Sequence, residues 1–444
     1  MPPKTACFRR LPLATELDPF EVAAAVMDDE RPVALCGSWA DGGAIIASQP
    51  LTYLPADGDP FAALAHVPTV AAAADEGVGG GWFGYLGYQL GRRLERVGAP
   101  VAEVRSCSDF DLAFYDSVLR YDLGGRRWWF ECLWTEERAE VLDERYLELA
   151  ARLSRSAPPA LTGFAGNFQS QPADDIHVES IKRAIEHIHA GDVFQVNLCM
   201  LLEADWTGSP WAAFQCTAAR LEPPYAAFLG LADSAVICLS PELFIRRSGR
   251  VVETRPIKGT CARDANPAIA ASQRRRLLSS EKNRAENVMI VDLMRNDLGR
   301  VCRPGSVSVP QLVVAEPHPG IWHLVSRVRG ELEPDASDAD LLRASFPPGS
   351  ITGAPKIRSM QLINELEPSP RIVYTGAIGY VSPLAGLELN VAIRTFEIRD
   401  GKVALGVGGG IVADSDPRSE LAECYQKAAP LIAALGGCGE VAAP

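Results

Sequence analysis

Basic charge is in short supply in this sequence: 43 Lys and Arg stand against 56 Asp and Glu, a formal net charge of -13 over 444 residues. A protein that tracks nucleic-acid phosphates needs a concentrated basic face, and the one basic cluster, Arg274-Arg275-Arg276, reads as a solvated helix face with Glu281 close behind. No nucleic-acid partner is expected. Hydrophobic runs long enough to cross a bilayer, about 20 residues, are also missing, so no membrane partner is expected. Lys4, Arg9 and Arg10 have no continuous apolar stretch behind them, unlike a secretion signal, and a cytoplasmic location is the default. The 11 cysteines stand singly, without CxxC pairs or histidines at metal-ligand spacing, and read as small buried hydrophobes in a reducing compartment. Neither a P-loop nor a strand-GxGxxG-helix unit occurs, which disfavours nucleotide binding.

What is present points to a large globular fold. With 47% hydrophobic and 22% charged residues, the chain can bury one large core or two. Periodicity fades from Ser154 to Asp175, where Ser, Ala, Pro, Gly and Gln dominate. This break divides an N-terminal region, 1–155, from a second region, 174–436. Before it, Ser117 to Tyr121 and Arg127 to Leu133 flank Gly124-Gly125 as the arms of a hairpin. After it, His177 to Ala190 carries Ile181, Ala184, Ile185 and Ile188 on one helical face. Val193 to Leu198 reads as a strand with Phe194, Val196 and Leu198 on one side, and Val251 to Thr254 as another. Hairpins with helices set apart from them indicate an α+β fold with antiparallel sheets.

The chemistry-bearing residues fall in four segments. Lys258, in Arg255-Pro256-Ile257-Lys258-Gly259-Thr260, follows a strand and offers an amine where a nucleophile could act. A solvated surface lysine is the ordinary alternative. In Asp416 to Lys427, Asp416 suits an N-cap and Pro417 the first helical position, so Glu420, Glu423 and Lys427 share a face. Two carboxylates there suit a hard cation such as Mg2+ or an ordinary salt-bridged surface. Glu286 lies in an apolar helix, where a buried carboxylate needs a partner, and capping, ion pairing and metal ligation stay open. Gly349 to Lys356 and Gly406 to Ile411 read as glycine-rich loops, ordinary structural turns or places fit for an anion or a close ligand approach.

Glu253 to Thr260, Asp292 to Arg300, Gly349 to Lys356 and Gly408 to Ser415, in this order, resemble the chorismate-utilising enzymes, and among them the aminodeoxychorismate synthase component I branch. The likeness is dense from about Asp192 to Lys427 and thinner before the break, where Gly37-Ser38-Trp39 and Phe83 to Tyr88 still resemble the family. It implies an α+β sandwich of two antiparallel sheets enclosing helices, with the chain halves interleaved. It also implies Mg2+-dependent amination of chorismate to 4-amino-4-deoxychorismate, the precursor of p-aminobenzoate and folate.

Residue by residue, the resemblance makes Lys258 a covalent nucleophile at C2 of chorismate, where anthranilate synthases commonly carry alanine. Glu242 becomes the acid that helps the C4 hydroxyl leave. Glu286, Glu420 and Glu423 match Mg2+-binding positions. Gly259, Thr260, His323, Thr352, Arg394, Gly408, Gly409 and Lys427 match positions around the substrate, with arginine suited to bidentate carboxylate capture and lysine to a point contact. Gln195 stands where isochorismate synthases usually carry a water-activating lysine, which favours ammonia as the incoming nucleophile. Asn283 departs from the family, which often has an acidic residue there. Ser38, Pro224 and Tyr225 resemble a tryptophan pocket of relatives.

Ammonia needs a source. The sequence has no Gly-x-Cys-x-Gly turn followed by His-x-Glu, so the implied partner is a separate glutamine amidotransferase subunit. The alternatives are an anthranilate synthase component I, in which Lys258 is incidental, and a non-catalytic chorismate-binding protein.

Overall fold

The strand Gly81–Leu86 shows how the architecture arises. It carries no charged residue and is buried along its whole length, as a strand covered on both faces must be. Trp82 and Leu86 point into one apolar core, Phe83 and Tyr85 into another. The computed structural model, which describes residues 2–71, 77–98, 108–154 and 163–436, builds this strand into a sheet of 10 strands that faces a second sheet of 14. Leu35, Phe83, Tyr115, Val236 and Tyr380 fill the space between them.

Where the sheets part, helices enter. Asp174–His189 and Lys356–Leu366 pack in a core that also receives Val196, Leu198 and Ile411 from the larger sheet and Phe244, Val252 and Leu389 from the smaller. Pro210–Leu221 and Pro417–Leu435 cover the other face of the larger sheet through Phe214, Leu421 and Leu431. Both sheets mix the two ends of the chain: Val33–Gly37 pairs with Tyr225–Gly230, and Gly81–Leu86 with Ala377–Ser382. The α+β reading with interleaved halves is borne out. One parallel pair, Thr5–Leu13 with Thr69–Ala71, departs from the antiparallel pattern.

The expected hairpin forms, with Ser117–Asp122 against Arg127–Trp134. The break at 154–175 is partly structured: Gly163–Ala165 and Gln169–Gln171 both pair with Gln195–Gly208, while 155–162 lie outside the described residues. Two readings need correction. The strand begins at Gln195, and Phe194 is 73% exposed rather than on its apolar side. The Gly406 to Ile411 segment is no loop but the end of the strand Lys402–Ile411, because its glycines permit close pairing: a Cβ on Gly408 would stand 2.4 Å from the Leu198 carbonyl oxygen.

Candidate active site

Lys258 sits in Ile257–Ala262, which pairs with Ile321–Glu331. The register slips between Ile257 and Thr260, and Gly259 at φ +89 supplies the left-handed residue that such a bulge favours. The Lys258 amine donates to the Ser350 carbonyl at 2.8 Å. The residue as a whole is half-buried, but its amine is packed densely enough that burial outweighs the opposing Glu242 and Glu286 charges and holds its pKa below the usual lysine range.

Glu242 lies between the strands Ser234–Ser240 and Leu243–Ser248 and is 5% exposed. Its backbone is pinned: the amide donates to the Ser240 hydroxyl at 3.2 Å and the carbonyl accepts from Val391 at 3.0 Å. Burial pushes its carboxyl up to about 7, against the pull of the Ser350 hydroxyl, the Lys258 charge and the Ile257 backbone. The Ser350 hydroxyl itself makes no well-formed hydrogen bond. Acid and amine thus share one buried environment that penalises the charged form of each.

The acidic residues gather beside this pair. Glu420 is buried and accepts from the Ser415 hydroxyl at 2.6 Å. Glu423 is half exposed and pairs with Lys427 at 2.8 Å. Glu286 is raised, first by burial and then by Glu423 and Glu420, against Lys258 and Lys282, so the three carboxylates act on one another. Among the described residues no three metal-ligating side chains converge into a ready cage. Mg2+ binds through protein carboxylates and completes its shell with water. An all-oxygen set under mutual repulsion fits such an ion.

On another side, Arg394, at φ +53, is raised by no carboxylate; burial alone lowers its pKa. His323 is 1% exposed, shares a 2.8 Å hydrogen bond with Thr260 through Nδ1, and leaves Nε2 without a partner. Burial, then Arg394 and His318, push His323 down to about 3, so it is neutral. Thr352 is buried, with its carbonyl accepting from the Asn197 amide at 2.8 Å. Gln195 is buried, its Oε1 unpartnered. Lys427 donates to the Gly408 carbonyl at 2.9 Å, and a Cβ on Gly409 would crowd Glu420 at 3.2 Å.

Ser38, Pro224 and Tyr225 also come together: the Ser38 amide donates to the Pro224 carbonyl at 2.6 Å, and the Tyr225 ring meets fully buried Trp39 edge-on at 5.2 Å. Two contributors were not singled out from sequence. Ser350 contributes through its backbone carbonyl and an unsatisfied hydroxyl, although its segment was marked by Gly349 and Thr352. Lys282, an exposed helix residue, bears on both Glu286 and Glu423.

A family model described as a chorismate binding enzyme matches residues 36–433. Aminodeoxychorismate synthase component 1 of Klebsiella aerogenes is 41% identical over 353 residues, covering 78% of this chain and 75% of the relative. Anthranilate synthase component 1 of Streptomyces coelicolor is 36% identical over 408 residues, covering 88% and 80%. The crystal structure of anthranilate synthase component I from Streptococcus pneumoniae superposes with a TM-score of 0.76 at 28% identity, covering 97% of this chain and 93% of that one.

Proposed function

The chain belongs to the chorismate binding enzymes, and from that premise we propose that it is the component I of an aminodeoxychorismate synthase, converting chorismate and ammonia to 4-amino-4-deoxychorismate. The observation that carries this reading is the buried pair of Lys258 and Glu242. Burial favours the neutral form of each, and a neutral amine beside a protonated carboxyl is the state the reaction uses.

In the first displacement the Lys258 nitrogen bonds to C2 of chorismate, both double bonds of the ring diene shift by one position, and the C4–O bond breaks. Glu242 gives its proton so that oxygen leaves as water, and the new secondary ammonium sheds one proton to restore the balance. In the second, ammonia bonds to C4, both double bonds return, and the C2–N bond breaks to free Lys258, which takes back a proton. Two allylic displacements replace one difficult substitution.

Arg394, half-buried and with no carboxylate acting on it among the described residues, would take a substrate carboxylate, and neutral His323 presents Nε2 on the same side. Thr352, Gly259, Thr260, Gly408 and Gly409 shape the surrounding wall, with Lys427 as a point charge. Glu286, Glu420 and Glu423 would hold Mg2+, whose charge would neutralise and orient the ring carboxylate. A separate glutamine amidotransferase subunit supplies the ammonia, in keeping with the component 1 naming of relatives. No described helix is long and apolar enough to cross a membrane, and a cytoplasmic setting belongs to the same proposal.

Incubation with chorismate, Mg2+ and ammonium should yield aminodeoxychorismate, read as p-aminobenzoate after a lyase is added. Anthranilate as the main product would sink the reading in favour of the second branch.

A further inference from the structure

We infer that Arg371 is a positioning residue, which fixes the Ser350 segment and through it the relative placement of Lys258 and Glu242. Arg371 is 5% exposed and lies beyond the helix Lys356–Leu366. All five of its N–H groups are used. Nε donates to Glu367 at 2.8 Å, and Nη2 to Glu367 at 2.5 Å and the Asn197 carbonyl at 2.6 Å. Nη1 donates to the Ile351 carbonyl at 2.9 Å and the Thr375 hydroxyl at 3.4 Å. Its guanidinium lies over the Tyr88 ring at 4.5 Å.

Two of those acceptors lead into the site. Ile351 follows Ser350, whose carbonyl holds the Lys258 amine. Asn197 belongs to the strand carrying Gln195 and is paired with Gly410. That strand has β partners on this edge at 195–196 and again at 201–203. In the gap, Arg371 takes the Asn197 carbonyl and Glu367 accepts from the Cys199 amide at 2.8 Å. One buried ion pair therefore bridges the strand to the Ser350 segment, and only a planar fork of five donors can do so. Lys356 grips the start of the same segment, donating to the Ser345 and Pro347 carbonyls at 2.8 and 3.0 Å. The far end has no cation but Arg371 among the described residues.

The inference rests on the aminodeoxychorismate synthase reading for its kinetic arm, so the test carries a second arm that does not. Arg371→Met alone would strand Glu367 as an unpaired buried charge; the variant to use is Arg371→Met with Glu367→Gln, checked by melting temperature. Its kcat should fall about tenfold to a hundredfold, because a loosened reacting pair forfeits much of its alignment. The loss of activity as pH rises through about 7, where Glu242 deprotonates, should move to higher pH as Glu242 loses the Ser350 hydroxyl. Ser350→Ala should shift that limb too, and combining it with the Arg371 variant should shift it no further. An unmoved limb, or shifts that add, would overturn the inference.

In the second arm, acetic anhydride labelling is followed by peptide mass spectrometry, with exposed Lys282 as internal reference. Lys258 of a folded variant should label several-fold faster relative to Lys282 than in the parent enzyme. An unchanged ratio would overturn the inference whatever product the enzyme makes, whereas anthranilate formation would overturn only the functional reading.

Discussion

Glu242 and Glu388 are both buried glutamates whose carboxyls burial raises, yet their surroundings differ in one respect. Glu388 accepts from the Ala40 amide at 2.8 Å, from Arg246 Nε at 2.9 Å and from the Tyr380 hydroxyl at 3.1 Å, which ties its strand to the turn holding Trp39. Glu242 has an imperfectly placed Ser350 hydroxyl, while the neighbouring Lys258 amine bonds to the Ser350 carbonyl instead. Elsewhere in the candidate site, His323 Nε2 and Gln195 Oε1 are also without partners. Because stranding a buried polar atom costs about 1–3 kcal/mol, a cluster of them is stable only if something else completes it. The completed network holds the fold; the incomplete one is built for a ligand that brings the missing partners.

The sharpest way to break this contrast is at Lys258. Lys258→Ala should lower aminodeoxychorismate formation by about a thousandfold or more and leave the melting temperature near the parent value. A covalent adduct on Lys258 should appear by mass spectrometry when the reaction is stalled; normal turnover by the alanine variant would remove the covalent role. Glu242→Gln should cost about 100- to 10,000-fold in kcat, the range for a positioned acid.

The same Glu242→Gln variant sharpens the contrast through stability. A carboxyl whose folded pKa is raised, here from 4.5 to about 7, binds more protons folded than unfolded. The stability it lends is complete below pH 4.5 and is lost as pH rises through 7. The glutamine variant should therefore become the more stable protein above pH 7, by on the order of 2–3 kcal/mol at pH 8, read from denaturant midpoints. Arg246→Met should do the reverse. It leaves Glu388 buried without its cation and should destabilise the fold by about 3 kcal/mol, while kcat per folded molecule stays within about twofold; a large kcat loss would show that the completed network is not merely structural.

Sequence made part of this site legible and hid the rest for a physical reason. The helix Pro417–Leu435 could be read with its Asp416 cap and Pro417 start because both are local signals, and with it the shared face of Glu420, Glu423 and Lys427. The Lys258 segment was marked by its motif, whereas the bulge at Gly259 emerges only in the strand register. Glu242 and Arg394 were not readable from local pattern, because each is a lone residue at a strand end, and they drew their roles from the family resemblance. Ser350 and Arg371 were missed for a deeper reason: they act on or through backbone carbonyls, and a carbonyl has no residue identity to read. The glycines at 406–410 read as a loop in the sequence because loops and tightly paired strands call for glycine alike.

Thr260 and His323 offer the finest test, since their 2.8 Å hydrogen bond is a satisfied contact within the unsatisfied region. Thr260 engages Nδ1 and holds the ring, leaving Nε2 of neutral His323 as the nitrogen open to the substrate. Thr260→Val keeps the shape and removes the hydroxyl, leaving Nδ1 without its partner. One neutral hydrogen bond is worth about 0.5–1.5 kcal/mol, so kcat/KM should fall about 2- to 12-fold. Because Thr260 is exposed, the melting temperature should hold. If His323 were only a packed core residue, kcat/KM would stay at the parent value, and the incomplete network would shrink to Glu242, Ser350 and Gln195.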